Sequence, residues 1–478
     1  MSDVFSVEGK RVVVVGAARS GIAAAELLVR RGARVTLTES RDAFDAAERL
    51  RRLGIALELG GHSEPTFAAA DLVVTSPGVP LEQAVFDVAR VRGVEIIGEL
   101  ELAWRWLKGR VIAITGTKGK STTTTLVGRM LQAGGHSVLV GGNIGVPLSA
   151  QVGESTAETI HVVEASSFQL ETTTTFRPWI AVWLNFAADH LDRHPTVEAY
   201  ASAKAKIFAN QTGDDWIVIN ADDREVMQRT AAARATRVTY SLSGAPSSKD
   251  AFGAARGQAV FVISDDCITR RTTTGDERFF PVSAVELTGR HMLNNVLAAT
   301  AAAHIAGASP SAMVEALGGF HGLEHVMEPA GSAGGVRFVN DSKATNVEAA
   351  LRSIESFERG VVAIVGGRFK GGDFRDLRDA LASRGRGVIA IGEAAPRVRE
   401  ALGDVVPVVE ATSMGDAVRK GYKAARPDGV VLLAPACSSF DWFRDYADRG
   451  SVFKEEVARL RARESSARDG VASPENDV

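Results

Sequence analysis

Short apolar runs recur along the chain, and nearly all end in glycine or a polar residue before a helical stretch. Arg11-Val12-Val13-Val14-Val15-Gly16 leads into an amphipathic segment that reaches about Arg31, and Val35-Thr36-Leu37-Thr38-Glu39 follows. The same alternation returns at residues 71–75, 111–115, 138–142, 160–164, 180–185, 336–340, 360–366, 387–392 and 430–434. Unbroken apolar runs read as strands buried on both faces, which means parallel sheets covered by helices. Strands alternating with helices over 478 residues predict an α/β chain of three domains. Ile97-Gly98-Glu99 reads as the passage out of the first, and a new segment opens near Gly322. The expected domains are 1–98, 99–321 and 322–464. Within the second, residues 241–281 are rich in Ser, Gly, Ala and Thr and read as an elaboration with short strand-like pieces such as 258–263. The tail 465–478 reads as disordered.

Composition narrows the function classes. Hydrophobic residues are 45% and charged residues 24%, ordinary for a globular protein. A net charge of −3 gives no basic surface for nucleic acid or an acidic membrane, so neither is an expected partner. Cys267 and Cys437 stand far apart and in no zinc or C-x-x-C spacing, which predicts a reducing compartment without a disulfide framework. No apolar run reaches bilayer length, and residues 1–10 carry acids without an apolar core, so the expected compartment is the cytoplasm.

The densest chemistry follows the run Val111-Ile112-Ala113-Ile114. Thr115-Gly116-Thr117-Lys118-Gly119-Lys120-Ser121-Thr122-Thr123 is a glycine turn opening a helix. Free N–H groups and the positive helix end converge there on an anion, Lys120 reaches β/γ-phosphates, and the Ser121 hydroxyl suits Mg²⁺. A full P-loop would carry glycine at 114, where Ile114 stands. The second domain is thus expected to be a P-loop ATPase-type α/β domain. Glu164 ends the run 160–164, and a carboxylate at a strand end beside a P-loop is placed for Mg²⁺. Asp189-His190-Leu191-Asp192-Arg193-His194 follows the run 180–185, so His190 is expected at the same sheet edge as a metal or substrate group. The segment 197–208 reads as a helix carrying Lys204 and Lys206, of which Lys206 is expected to be solvated.

Elsewhere the chemistry is less specific. Gly16-Ala17-Ala18-Arg19-Ser20-Gly21 resembles a dinucleotide fingerprint with Ala18 at its middle glycine, which obstructs a pyrophosphate. A Rossmann-like domain binding NAD or FAD and one binding another ligand both remain open there. Ser76-Pro77-Gly78 sits at a strand end, where such sheets bind ligands, and Gly141-Gly142-Asn143 forms a glycine-dense loop. Asn294-Asn295 stands near the start of an alanine-rich helix, able to cap it or to read an adenine edge. The third domain, also Rossmann-like, offers Asp341-Ser342-Lys343-Ala344-Thr345-Asn346, a basic glycine loop at 366–372, and Ala434-Pro435-Ala436-Cys437-Ser438-Ser439-Phe440-Asp441.

Taken together, these loops resemble the Mur ligase family from about Val12 to Glu455. The Thr115–Thr122 loop and Asp189-His190-Leu191-Asp192 are shared by several members. The stretches 341–346 and 433–441 resemble the D-glutamate-adding members. The resemblance implies an ATP-dependent amide ligase that adds D-glutamate to UDP-N-acetylmuramoyl-L-alanine through an acyl phosphate, in peptidoglycan precursor synthesis. It implies a monomer with two Mg²⁺ ions and a CO₂-derived carbamate on Lys204, aligned by the Tyr200-x-x-x-Lys204 spacing. By this resemblance Lys120, Glu164, His190 and Lys204 are catalytic, and Ser121, Glu164, His190 and Lys204 hold metal. ATP falls to Gly116, Thr117, Lys118, Gly119, Lys120, Ser121, Thr122, Thr123, Asn295, Asp341 and Lys343. The UDP substrate falls to Arg19, Ser20, Glu39, Ser40, Arg41, Ser76, Pro77, Gly78, Asn143 and His190. D-glutamate falls to Thr345, Lys370, Ser439 and Tyr446.

Two positions depart from the family pattern. Met292 replaces the first Asn of G-x-H-N-x-x-N, and Val326 replaces the Arg of G-L-x-H-R-x-E that approaches the ATP phosphates. Both departures predict weaker nucleotide binding or slower turnover. Three other readings stay open on the sequence: another amino-acid-adding Mur ligase, a nicotinamide-dependent oxidoreductase built on 16–39, and a non-catalytic nucleotide-binding paralogue.

Overall fold

The computed structural model describes residues 5–187, 189, 193–244, 259–286, 290–320, 322–369 and 371–469. By its internal contacts the chain divides into two compact units, Met1–Phe320 and His321–Val478. The first unit contains two sheets. One runs in the order β3-β2-β1-β4-β5, built from β1 (Arg11–Val15), β2 (Arg34–Glu39), β3 (Ala56–Leu59), β4 (Leu72–Thr75) and β5 (Ile96–Gly98). All its pairings are parallel. The other comprises β6 (Arg110–Thr115), β7 (Val138–Gly142), β8 (Ile160–Glu164), β9 (Ile180–Trp183), β10 (Trp216–Asn220), β11 (Thr236–Ser241), β12 (Ala259–Ser264), β13 (Cys267–Thr272) and β14 (Gly275–Pro281). Its order is β14-β13-β12-β11-β10-β9-β6-β8-β7, parallel from β7 to β12 and antiparallel beyond. The expected elaboration is therefore an antiparallel extension of this sheet.

The second unit has one sheet, β15-β16-β20-β17-β18-β19. Its strands are β15 (Glu328–Ala333), β16 (Val336–Asn340), β17 (Val361–Gly366), β18 (Gly385–Ile391), β19 (Val408–Glu410) and β20 (Val430–Leu433), with only β15 antiparallel. The unbroken apolar runs are the central strands. Val12–Val15, Val111–Ile114 and Val430–Leu433 are at most 3% exposed, because helices cover both faces.

The passage at 97–99 is tightly built. Gly98 ends β5 and a helix, Glu99–Trp104, starts at once. The fully buried Glu101 carboxylate accepts from the N–H groups of Thr174, Thr175 and Phe176, from the Thr174 and Thr175 hydroxyls, and from Arg105. Burial raises that carboxyl's pKa, but these donors outweigh burial and hold it low. One side chain thus fastens the start of the second sheet's layer to the helix leaving the first. Lys206, expected to be solvated, is half-buried, and its ammonium donates to the Glu171 carbonyl at 2.5 Å.

Candidate functional site

The glycine turn after β6 opens a helix at Lys120–Ala133. Gly119 has φ +82°, and a Cβ there would lie 2.2 Å from Asn295 Oδ1, so only glycine fits. Asn295, expected to serve the same nucleotide, is thereby brought against the loop. The helix has no side-chain cap and no acid in its first turn, which leaves its opening N–H groups for an anion. Lys120 folds over the turn and donates to the Gly116 and Thr117 carbonyls at 3.0 Å each. Asn185 braces it from outside: its Oδ1 accepts from Lys118 N–H at 2.8 Å, and its Nδ2 donates to the Lys118 carbonyl at 3.0 Å. Sequence reasoning missed Asn185, although a polar residue just past an apolar run on a strand adjacent to β6 was the signal. Thr123 turns inward. Its hydroxyl is buried without a partner among the described residues, and its N–H bonds the Gly119 carbonyl.

Parallel pairing sets Ile114 of β6 opposite Glu164 at the end of β8. Glu164 is 2% exposed. One oxygen accepts from Asn143 Nδ2 at 2.7 Å, and the other has no hydrogen-bond partner among the described residues. Lys204 is 1% exposed and lies over the Tyr200 ring, 4.6 Å from its centre. Its ammonium donates to the Gly116 carbonyl at 2.9 Å, so Lys204 and Lys120 share one acceptor. Burial, then the charge of Lys120, push the Lys204 amine well below the ordinary lysine range, against the weaker pull of Asp189 and Glu164. His190 lies outside the described residues. Among those described, no group of three or more His, Cys, Asp or Glu converges to hold a metal.

Asn143 also lines a cavity of 540 Å³ at the C-terminal edge of the first sheet. The cavity gathers Arg19, Ser20, Glu39, Ser40, Arg41, Ser76, Pro77 and Gly78, and adds His62, Gln83 and Gln169, which the sequence did not single out. Helix Arg19–Arg30 points an uncapped N-terminus without acids at it. Burial pushes the Glu39 carboxyl up, but hydrogen bonds from Arg41, the Ala17 and Arg41 N–H groups and the Ser40 hydroxyl hold it at about 2. At neutral pH Glu39 is a fixed anion with Arg41 beside it. Arg193 ties the loops together. Its guanidinium lies 4.8 Å over the Phe168 ring and donates to the Gly78 carbonyl at 2.9 Å.

In the second unit the loop after β16 carries Asp341, Lys343 and Thr345. Asp341 faces inward, accepting from Met327 N–H at 3.2 Å and from the Ser353 hydroxyl. Burial raises its pKa against those donors and Lys343. The Asp341 carboxylate therefore holds the segment around Val326 rather than presenting a free edge. Val326 sits between His325 and Met327, both at positive φ. Met292, the other departure, lies in the first unit and places its sulfur 3.8 Å from Asn295 Nδ2. Ser439 is 2% exposed and Tyr446 40% exposed on the elements after β20. Lys370 lies outside the described residues.

Comparison with known proteins follows this layout. Residues 10–98 match the family model "Mur ligase MurD-like, N-terminal domain", 114–303 "Mur ligase middle domain", and 327–437 "Mur ligase, glutamate ligase domain". The chain is 46% identical over 460 residues to UDP-N-acetylmuramoylalanine--D-glutamate ligase of Acidobacterium capsulatum, covering 96% of this chain and 98% of that one. It is 42% identical over 463 residues to the protein of the same name from Koribacter versatilis, covering 96% and 100%. Among solved structures, UDP-N-acetylmuramate-alanine ligase MurC from Thermotoga maritima shares the fold, with a TM-score of 0.54 at 19% identity over 94% of this chain and 100% of that one. A MurF ligase from the same organism gives 0.53 at 16% over 95% and 96%.

Proposed function

The chain belongs to the Mur ligase family, and we propose that it is the ligase that joins D-glutamate to UDP-N-acetylmuramoyl-L-alanine using ATP. This reaction serves peptidoglycan synthesis. The observation that carries the reading is Asn143, which lines the cavity fit for a UDP-sugar and also hydrogen-bonds Glu164 beside the phosphate loop. One residue thus joins the acceptor pocket to the phosphate site, as a reaction between a bound carboxylate and a γ-phosphate requires. Near-whole-chain identity of 46% with a D-glutamate-adding relative supports the choice of amino acid.

The substrate carboxylate is a poor acyl donor, so it first takes the γ-phosphate as an acyl phosphate, and the D-glutamate amine then displaces phosphate. Both steps bring anions together, so fixed cations and oriented N–H groups carry most of the catalysis. Lys120 and the first turn of helix Lys120–Ala133 hold the phosphates. Glu39, Ser40 and Arg41 hold the uridine end with Arg19, Ser20 and the Ser76–Gly78 loop. Thr345, Lys370, Ser439 and Tyr446 hold D-glutamate.

The buried Glu164 oxygen without a partner among the described residues fits Mg²⁺, and with the Ser121 hydroxyl it would hold one ion, His190 and Lys204 serving a second. When bound, Mg²⁺ supplies charge neutralisation across the transferring phosphate. A second ion needs another carboxylate. Burial and the Lys120 charge favour the uncharged form of the Lys204 amine, the form that attacks CO₂. The N–C bond forms, one C=O pair becomes a carboxylate, and the amine proton leaves to solvent, giving a carbamate.

The test is phosphate release from ATP and Mg²⁺ with UDP-N-acetylmuramoyl-L-alanine, adding D-glutamate, L-glutamate, L-alanine or nothing. Release with D-glutamate alone is expected. Release with another amino acid, or none with any of them despite ATP binding, overturns the reading.

A further inference from the structure

Arg449 is among the largest fully buried side chains, at 0% exposed, and it makes no ion pair among the described residues. Its Nε donates to the Ser342 hydroxyl at 2.9 Å, Nη2 to the Ser342 carbonyl at 2.8 Å, and Nη1 to the Cys437 carbonyl at 3.0 Å. A guanidinium taken out of water without a carboxylate is costly, and an apolar residue would normally serve a core better. The fork is therefore retained for geometry. It is planar, rigid and five-donor, and here it binds two loops at once. The Ser342 hydroxyl in turn donates to the Tyr446 carbonyl at 2.7 Å, one helical turn before Arg449. The loops touch directly as well: Ala436, at φ +57°, donates its N–H to the Ala344 carbonyl at 2.9 Å. A third loop joins through Ser438, whose N–H donates to the Arg368 carbonyl at 3.1 Å and whose carbonyl accepts from Arg368 N–H at 2.9 Å. Space is fixed too, since a Cβ at Gly450 would lie 2.2 Å from His325 Nδ1 and hold that helix off the loops.

We infer that Arg449 is the positioning residue of the amino-acid half-site, its buried fork setting the Ser342 loop and the Cys437 loop in the register that lets Thr345 and Ser439 receive D-glutamate together. This rests on the function proposed above. Arg449 does not touch substrate; it acts through Ser342 and Cys437.

The experiment compares the full-length chain with Arg449→Met and Arg449→Lys. In Arg449→Met, kcat/KM for D-glutamate is expected to fall about 100-fold, as for a reacting group displaced by about an ångström. The KM for the UDP-sugar substrate, bound by the other unit, stays within about twofold of the parent. Arg449→Lys keeps the charge but lacks the planar fork that reaches the Ser342 and Cys437 acceptors together, so it is expected to lose at least about tenfold. Amide hydrogen exchange of Ala436 and Ser438 reads the tie without turnover and is expected to quicken at least about tenfold in both variants. If Arg449→Met does not fold, Arg449→Lys and its exchange rates decide. Unchanged kcat/KM with unchanged exchange overturns the inference, as does a parallel rise in KM for both substrates. If the parent chain itself fails to ligate D-glutamate, the functional reading fails, and the exchange rates still judge the tie.

Discussion

Lys204 is the sharpest test of how the phosphate site works. Its ammonium and that of Lys120 both lie within 3.0 Å of the Gly116 carbonyl oxygen. Two such nitrogens are at most about 6 Å apart, which at an effective dielectric of about 20 gives about 3 kcal/mol of repulsion if both are charged. Lys120 is part-buried and Lys204 is 1% exposed, so burial adds to the penalty chiefly at Lys204. Both effects favour the uncharged amine, and the proposed carbamylation would replace it with an anion that Lys120 attracts. Lys204→Ala removes that carboxylate from a site where preorganised charge does the catalysis, so kcat should fall on the order of 10²–10³-fold. Formate or acetate, entering the space the side chain leaves, should restore part of it. Phosphate release measures both. Independently, ¹³C-bicarbonate should give a carbamate resonance in the parent that Lys204→Ala lacks. Activity of the parent at fixed pH should rise with bicarbonate and fall as acid reprotonates the amine. Full activity in Lys204→Ala, or no resonance that depends on Lys204, would refute the reasoning.

Glu101→Ala deletes the acceptor for three N–H groups, two hydroxyls and Arg105, so calorimetry should record about 3–5 kcal/mol of lost stability for a broken buried network; a loss below about 1 kcal/mol would mean water replaces it. His161 is fully buried, and burial holds its imidazole down to about 4, below the 6.5 of an unfolded histidine. Between those values the unfolded chain binds the extra proton, so stability falls as pH drops from 6.5 toward 4, by up to about 3 kcal/mol; His161→Gln should flatten that slope in denaturant titrations. Glu164→Gln keeps the acceptor for Asn143 but loses the charge, so the Mg²⁺ concentration for half-maximal rate should rise at least tenfold (about 1.4 kcal/mol), and an unchanged Mg²⁺ requirement would remove Glu164 as a ligand. Val326→Arg supplies the missing arginine and should lower the KM for ATP, an unchanged KM meaning that its absence is already accommodated.

Much of the fold was legible because three sheets need long apolar strands, and Val12–Val15, Val111–Ile114 and Val430–Leu433 announce themselves. The phosphate loop was legible because Gly119 and Lys120 carry the chemistry in consecutive residues. What stayed hidden depends on partners far away in sequence. Asn185 braces the loop from another strand, Lys206 finds a carbonyl on a neighbouring turn, and Asp341 turns inward because Met327 N–H and the Ser353 hydroxyl receive it. Arg449 gave no signal at all, since nothing in a helix of charged residues marks the one whose guanidinium is buried.

The buried glutamates of the first unit make the same point, because only their surroundings separate a structural acid from a ligand. Glu39 and Glu101 have every oxygen engaged by N–H, hydroxyl or arginine donors, so they stay anionic and leave no partnerless oxygen for a metal. Glu99 has one oxygen held by Ser149 N–H and one without a partner, yet burial raises its pKa, with only Ser149 opposing, so it resists charging and calls for no cation. Glu164 also has one held and one partnerless oxygen, but its holder, Asn143, lines the cavity, and its charge acts on Lys204. A buried carboxylate oxygen without a donor, on a residue tied to the cavity lining through Asn143, is open to a cation. Lys120 and Lys204 donate to the Gly116 carbonyl instead. On the proposed function, it is this open oxygen of Glu164 that Mg²⁺ would take.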